Sequence, residues 1–297
     1  MYIADTHCDT LYAMARQPDA SLMITPQLLH QGGVTLQTMA LWTGPKGQNA
    51  HELAEQEMAQ IARLTAAGIR QVDDPSQARE GECCFMLSIE GGELFQDDLA
   101  SVQYWRSRGV RMAAISWNNS TRIANSAKSR STEGLSDYGV QVIREMQRVG
   151  MAVDVSHLNE AGFWDLFRMG HRPPMASHSC VRSLCDHFRN LTDEQLRAMI
   201  QYGGYVGVNF YPYFLSEDGK ATVRTVAEHI DYICQMGGSE IVGFGSDFDG
   251  IEVCPQGLEN AGMIPALLDE LRSMGYSEDA VAGVAGGNLR DYFQRLD

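Results

Sequence analysis

Histidine and carboxylate side chains recur in this sequence directly after short apolar runs. The first run ends in His7, Cys8 and Asp9. Alternate residues of a strand share a face, so His7 and Asp9 can point at one spot. An imidazole nitrogen beside a carboxylate oxygen is a sensible start for a zinc site. Alone the pair is weak evidence, because His7 could equally be a structural histidine that is hydrogen-bonded to Asp9.

Other residues of the metal-ligand type follow further apolar runs. They are Glu90, His157, His178 and Asp247. In a barrel of parallel strands the carboxyl ends of the strands meet at one mouth, where barrel enzymes assemble their active sites. Each residue taken separately is compatible with a structural role. Together they predict a metal site at the mouth of a barrel.

The elements that would position these residues alternate between strand-like and helix-like segments. Apolar runs without alternation are typical of strands buried on both faces. Such runs lie at 2–6, 34–42, 84–89, 110–116, 151–155, 174–176, 204–210 and 241–245. Helical patterns lie at 50–67, 136–149, 194–202, 222–236 and 262–274, and two short helices follow. The alternation favours one α/β domain over 1–297, a (β/α)₈ TIM-type barrel, with a doubly wound sheet as the alternative.

Two segments interrupt this alternation. The polar stretch 118–135 follows the fourth predicted strand, and the aromatic stretch 211–221 follows the seventh. Long loops after barrel strands often carry binding residues, so both are candidate walls of a substrate pocket. Each could equally be an ordinary surface loop.

Composition and charge argue against several classes of partner. The 297 residues carry a formal net charge of −15, and so acidic a surface repels nucleic acid and anionic lipid. Neither a run of 18 apolar residues nor a signal-peptide pattern is visible, and the seven cysteines include no CxxC pair. We therefore expect a cytoplasmic protein without membrane or nucleic-acid partners.

Five further histidines show no partner pattern and are expected to be structural: His30, His51, His171, His187 and His229.

These residues and the motifs around them resemble the membrane (renal) dipeptidase family, peptidase family M19, a branch of the amidohydrolase-like metal-dependent hydrolases. The resemblance runs nearly end to end. Its stretches are Asp5-Thr6-His7-Cys8-Asp9, Ile89-Glu90-Gly91-Gly92, Asp154-Val155-Ser156-His157, Ser177-His178-Ser179, Arg189-Asn190, Val208-Asn209-Phe210-Tyr211, Gly243-Phe244-Gly245-Ser246-Asp247-Phe248-Asp249-Gly250 and Gly287-Asn288-Leu289.

The resemblance implies a dipeptidase with two zinc ions, for which other divalent metals could substitute. His7 and Asp9 would bind one ion, His157 and His178 the other, and Glu90 would bridge both as a metal ligand and part of the catalytic centre. The two ions would share a hydroxide that attacks the peptide bond.

The resemblance also assigns roles in substrate binding and proton transfer. Asp247 would pass the proton of the attacking water to the leaving amine, and Arg189 would hold the terminal carboxylate of the substrate. Trp117, Asn118 and Tyr211 are further candidate substrate-binding residues. The expected substrates are dipeptides, including those with a D-residue at the C-terminal position, and the expected assembly is a homodimer.

The sequence departs from the family pattern near the predicted pocket. Trp117 stands where family dipeptidases often carry a histidine, and an indole donates a hydrogen bond but does not titrate. Asn118 or Asn119 is an alternative donor to the oxyanion, and Phe188 precedes Arg189 where a second arginine can occur.

Two other functions stay open. One is hydrolysis of another amide, an N-acyl amino acid or a lactone, and the other is an inactive metal-binding barrel that acts as a binding protein.

Overall fold

The structure is a computed structural model that describes residues 1–17, 19–47, 49–170 and 172–296, so His171 lies outside the described residues. Within them, nine strands form one parallel sheet: β1 (Ala4–Asp5), β2 (Leu36–Trp42), β3 (Arg70–Gln71), β4 (Cys84–Glu90), β5 (Val110–Ala114), β6 (Ala152–Asp154), β7 (Met175–Ala176), β8 (Tyr205–Val208) and β9 (Val242–Phe244). Eight of these described strands close into a ring, because β2 pairs with both β1 and β4 and the order then continues through β5 to β9. The fold is therefore the predicted (β/α)₈ TIM-type barrel, and the doubly wound alternative is wrong.

Helices connect the strands throughout the described part of the chain. Their bounds are α1 (Thr10–Arg16), α2 (Pro26–Gln31), α3 (Ala50–Met58), α4 (Ile61–Ala66), α5 (Ala100–Ser107), α6 (Asp137–Arg148), α7 (Glu160–Arg168), α8 (Asp193–Tyr202), α9 (Pro212–Leu215), α10 (Val223–Ile233), α11 (Ile264–Ser273), α12 (Glu278–Ala282) and α13 (Asn288–Leu296). Local chemistry sets these bounds, as at α8, where Thr192 and Gln195 form a capping box. Among the described residues, no helix combines the length and apolar character needed to cross a bilayer.

Several elements differ from the sequence-based expectations. The helix predicted over 50–67 is divided into α3 and α4. The loop predicted over 211–221 contains the short helix α9, with Pro212 at its first position. Strand β3 lies outside the ring, against β4. This strand and helices α1, α2, α5 and α7 are absent from the sequence-based expectations. Strand β3 has two residues, and α1 and α2 have seven and six, too few to show a clear apolar period.

The amino-terminal end of the barrel is closed by an aromatic cluster. Tyr205 begins β8, and its ring centroid lies 6.1 Å from that of Tyr292 on α13. Phe293, also on α13, meets Tyr292 edge to face at 5.5 Å, and all three side chains are fully buried. Because this end is filled by large side chains, the carboxyl ends of the strands form the open mouth.

Candidate metal centre

The five residues predicted to bind metal lie together at the mouth of the barrel. His7 and Asp9 follow β1, Glu90 ends β4, His157 follows β6 and His178 follows β7. Their exposed fractions lie between 1% and 7%. Buried polar groups need hydrogen-bond partners or a ligand. This cluster is therefore a candidate binding site.

Glu90 lies between two groups of imidazole nitrogens. Its Oε2 atom is 3.7 Å from His7 Nε2. Its Oε1 atom is 2.8 Å from His157 Nε2 and 3.3 Å from His178 Nε2, and these two nitrogens are 3.1 Å apart. One oxygen of Glu90 therefore faces His7 and the other faces His157 and His178. His7, Glu90 and His178 offer ligand atoms that lie within 4.8 Å of one another, so they could hold a metal ion.

The atoms around His7 fit a metal ion. His7 Nε2 lies 3.7 Å from Asp9 Oδ2 and 3.5 Å from Asp247 Oδ1. His7 Nε2 and Asp9 Oδ1 are buried and have no hydrogen-bond partner among the described residues. Burying an unsatisfied polar atom costs about 1–3 kcal/mol, and a divalent cation would satisfy both. Imidazole nitrogen and carboxylate oxygen are ligands that zinc accepts, so these residues fit such an ion.

Burial and charge set the protonation of the three histidines. Burial lowers the pKa of His157 and His178 well below the usual range, so both are neutral and keep a lone pair for a metal. Burial acts in the same direction on His7, but Glu90 and the neighbouring carboxylates raise its pKa to about 10. The region around His7 therefore favours a positive charge, which a bound cation would supply.

A hydrogen-bonded chain behind His178 fixes the orientation of its ring. Ser177 donates to Asp154, and Ser177 Oγ lies 2.7 Å from His178 Nδ1, from which it can accept. Asp154 also accepts from the backbone N–H groups of Ser156 and Ser177, at 2.9 and 3.0 Å. With Nδ1 occupied, Nε2 is the nitrogen available to a metal. Asp154 and Ser177 belong to motifs shared with the family, but their positions in the sequence alone indicate no such role.

Asp5 plays a comparable part on the other side of the mouth. It accepts from the backbone N–H groups of His7 and Ser246, at 3.2 and 2.9 Å. These bonds tie the end of β1 to the end of β9. They thereby bring His7 and Asp247 side by side.

Asp247 is held with one oxygen towards the metal-ligand cluster. Its Oδ2 atom accepts from Asn209 Nδ2 at 2.9 Å, while Oδ1 faces His7 Nε2. Burial is the main cause that raises the pKa of Asp247 to about 6. Its backbone has a left-handed φ of 64°, and that of His157 is 68°. Such conformations cost non-glycine residues about 1–3 kcal/mol and cluster at functional sites.

A pocket of about 570 Å³ opens above these residues, within the range of roughly 300–1,000 Å³ found for small-molecule sites. Its lining includes the predicted substrate-binding residues Arg189, Trp117, Asn118 and Tyr211. The alternative oxyanion donor, Asn119, is engaged elsewhere, because its Nδ2 atom donates to the carbonyl of Pro45 at 3.0 Å.

Arg189 lies beside the metal-ligand cluster as a buried cation. Its exposed fraction is 5%, and its guanidinium carbon is 5.5 Å from the ring centroid of Phe214. Its Nε and Nη2 atoms are buried without a hydrogen-bond partner in the described parts of the chain. A guanidinium with free N–H groups in a pocket is suited to bind a carboxylate.

The chain matches one family model nearly from end to end. The model is described as membrane dipeptidase (peptidase family M19) and matches residues 1–294. Dipeptidase 3 of Mus musculus is 31% identical over 261 residues, which are 84% of this chain and 52% of that protein. A Klebsiella pneumoniae protein described as an uncharacterized protein in the pqqA 5' region is 36% identical over 216 residues, 69% of this chain and 79% of that protein. The chain thus spans about half the length of the mouse relative.

Two solved structures match the barrel over its whole length. One is a metallo peptidase from Rhodobacter sphaeroides, liganded with a phosphinate mimic of the dipeptide L-Ala-D-Ala. It is 25% identical, with a TM-score of 0.93, and the match covers 100% of this chain and 99% of that one. The other is the dipeptidase AC, a metallo peptidase of family M19. It is 26% identical, with a TM-score of 0.92, and the match covers 99% and 98% of the two chains.

Proposed function

The chain belongs to the membrane dipeptidase family, peptidase family M19, and from this premise we propose that it is a metal-dependent dipeptidase. The observation that carries the proposal is the position of Arg189, a buried guanidinium with free N–H groups next to the ligand cluster divided by Glu90. A site for a carboxylate beside a site for metal suits a short peptide with a free C-terminus. Two divalent cations, when bound, would activate a water molecule and polarise the scissile carbonyl.

We propose that the metal is zinc and that two ions bind. His7 and Asp9 would hold one ion, His157 and His178 the other, and Glu90 would contact both. The support is the division of the two Glu90 oxygens between separate sets of imidazole nitrogens. Mixed ligation by nitrogen and carboxylate oxygen is common at catalytic zinc sites, and other divalent metals are candidates for the same ligands.

The side chains at the mouth would divide binding and proton transfer between them. Asp247 would accept the proton of the attacking water and deliver it to the leaving amine. Asn209 would keep Asp247 in place through the bond to Oδ2. Arg189 would hold the terminal carboxylate, and this would restrict the enzyme to very short peptides.

Dipeptides with a C-terminal D-residue belong to the proposed substrates. The Rhodobacter sphaeroides structure holds a mimic of L-Ala-D-Ala, and this chain shares its fold over the full length. The cytoplasmic location, the homodimer and the single-domain organisation expected from the sequence stay predictions.

Hydrolysis of a dipeptide panel by zinc-reconstituted protein tests the proposal. The panel includes L,L and L,D pairs, with C-amidated and N-acetylated versions as controls and a chelated sample as the blank. We expect metal-dependent cleavage of the free dipeptides and loss of cleavage on C-amidation. If C-amidated peptides were cleaved as fast as the free dipeptides, this would contradict the proposal that Arg189 binds the terminal carboxylate. Failure to cleave any dipeptide with two metals bound would favour another amide or lactone as substrate, or a binding protein.

A further inference from the structure

Three aromatic side chains form one continuous surface in the substrate pocket. We call Tyr12, Trp42 and Trp117 the aromatic wall. The rings of Tyr12 and Trp42 meet edge to face, with centroids 4.6 Å apart, and those of Trp42 and Trp117 do so at 5.0 Å. All three residues line the pocket and are partly exposed. Edge-to-face contacts of this kind hold aromatic rings in place, so the wall presents a fixed apolar surface to a ligand.

The order of the strands places the end of β2, which carries Trp42, across the ring from β7, the strand that precedes the segment with Arg189. Trp42 is the last residue of β2, and it is in register with Glu90 of β4. Arg189 follows β7. In the ring of eight described strands, counted from β1, β2 is the second strand and β7 the sixth. Strands four places apart in a ring of eight lie on opposite sides, and the metal-ligand cluster lies between them.

The aromatic wall begins directly at the metal ligands. The Trp117 ring lies 5.9 Å from the His157 ring, at an angle of 36°, and Trp42 neighbours Glu90 through the strand register. The indoles of Trp42 and Trp117 carry no charge and do not titrate. A substrate group that lies against the faces of these rings is therefore held by contact with the rings and not by an ion pair.

We propose that the aromatic wall binds the side chain on the N-terminal side of the scissile bond, and that the enzyme prefers dipeptides beginning with a large apolar residue. The inference rests on the proposed function. With the C-terminal carboxylate at Arg189 and the scissile carbonyl at the metal ligands, the N-terminal residue extends towards β2. Burying a phenyl ring there in place of a methyl group would raise kcat/KM roughly ten- to a hundredfold.

The test compares kcat/KM for Phe-Ala, Ala-Phe and Ala-Ala with zinc-reconstituted protein. We expect the ratio of Phe-Ala to Ala-Ala to be about ten or more, and the ratio of Ala-Phe to Ala-Ala to be clearly smaller. Trp42→Ala and Trp117→Ala should each lower the first ratio about tenfold. The control is Tyr104→Ala, which removes an exposed aromatic ring of α5 and should leave both ratios unchanged.

A second readout keeps the test independent of turnover. In the zinc-loaded Asp247→Asn protein, Phe-Ala should change the tryptophan fluorescence at lower concentration than Ala-Ala does, and Trp117→Leu should reduce this difference. Leucine keeps an apolar side chain at position 117, so this variant serves where the alanine variants do not fold.

Each outcome has a distinct meaning. A first ratio near one, or a ratio that survives both alanine substitutions, overturns the inference while hydrolysis of the three peptides preserves the dipeptidase function. A stronger effect of Ala-Phe also overturns it, because the aromatic wall would then serve the C-terminal residue. Absence of hydrolysis with metal bound removes the proposed function, and the inference fails with it.

Discussion

The side chains at both ends of the barrel are buried, but they are of different types. At the amino-terminal end, the rings of Tyr292 and Phe293 from α13 pack beneath the strands. At the carboxyl end, the buried positions hold imidazoles and carboxylates, and His7 Nε2 and Asp9 Oδ1 lack hydrogen-bond partners within the described residues. At the first end, burial of apolar surface stabilises the folded protein. The second keeps polar atoms available for a ligand.

The backbone shows the same difference between the two ends. His157, Asp247 and Asp249 follow strands at the mouth and have left-handed φ values of 68°, 64° and 65°. Non-glycine residues adopt this region at a cost in free energy. The amino-terminal end of this barrel therefore stabilises the fold, while the carboxyl end gives up some stability to hold its side chains in place.

Asp247→Asn should have the largest effect on catalysis at the carboxyl end. Asparagine keeps the shape of the side chain but does not accept the proton of the attacking water. We expect kcat to fall about 10²- to 10⁴-fold, the usual contribution of general acid–base catalysis, with the zinc content unchanged. Steady-state kinetics and metal analysis measure both quantities. Turnover within tenfold of the wild type would contradict the proton-transfer role.

Asp249→Asn is the matched control for this change. Asp249 is two residues away and has the same left-handed backbone. Its carboxylate already accepts from Thr10 Oγ1 and from the backbone N–H of Met23, both at 2.6 Å. We therefore expect Asp249→Asn to lower the melting temperature more than Asp247→Asn does, and to lower kcat less.

Phe293→Ala should damage the amino-terminal end and spare the chemistry. Phe293 is fully buried, and replacing a buried phenylalanine by alanine costs about 3–5 kcal/mol of unfolding free energy. Thermal unfolding should show a lower melting temperature than for Tyr104→Ala, which changes an exposed ring. At a temperature where both variants are folded, kcat/KM should match the wild type. A selective loss of kcat would show that the two ends are coupled.

Ser177→Ala should weaken the metal centre without removing a ligand. The change breaks the chain from Asp154 to His178 Nδ1, and losing such a supporting contact typically lowers metal affinity or activity about 10- to 100-fold. Zinc affinity is the quantity to measure. The control is Ser179→Ala, because Ser179 is equally buried and its Oγ has no hydrogen-bond partner in the described residues. Equal affinities for the two variants would contradict the orienting role of Ser177.

The sequence predicts which candidate metal-binding residues meet at the mouth because two local rules suffice. Residues i and i+2 share a face of a strand, which pairs His7 with Asp9, and parallel strand ends meet at one mouth, which adds His157 and His178. The division of the Glu90 oxygens between two nitrogen sets depends on side-chain geometry, which no spacing encodes.

The supporting contacts are not visible in the sequence for a different reason. Asp154 and Ser177 are 23 residues apart and meet because β6 and β7 are neighbours. Asn209 and Asp247 are 38 residues apart and meet across β8 and β9. Such contacts require the strand register, whereas the ligands require only the strand ends. The alternation of strand-like and helix-like segments predicted the barrel, whereas it did not predict the division of 50–67 into two helices.

Glu57→Gln should change the stability of the protein only slightly, and by an amount that depends on pH. Glu57 is fully buried on α3, and burial, with the charge of Asp9 adding to it, raises its pKa well above the usual range. A folded-state pKa above the unfolded value means that the folded state holds the proton more tightly. The stabilising contribution is complete below the unfolded pKa, about 4.3, and is lost as the pH rises through the folded pKa.

Glutamine does not ionise, so the Glu57→Gln protein should lack this loss. We expect its melting temperature to exceed that of the wild type by a few degrees at pH 8, where about 1 kcal/mol corresponds to roughly 2–4 °C, and by less at pH 5. Thermal unfolding of both proteins at the two pH values measures this. The matched control is Glu52→Gln, which removes a carboxyl group from the exposed face of the same helix. A difference that shrinks from pH 5 to pH 8 would mean that Glu57 is stabilised as the carboxylate, and this would contradict the raised pKa that burial gives it.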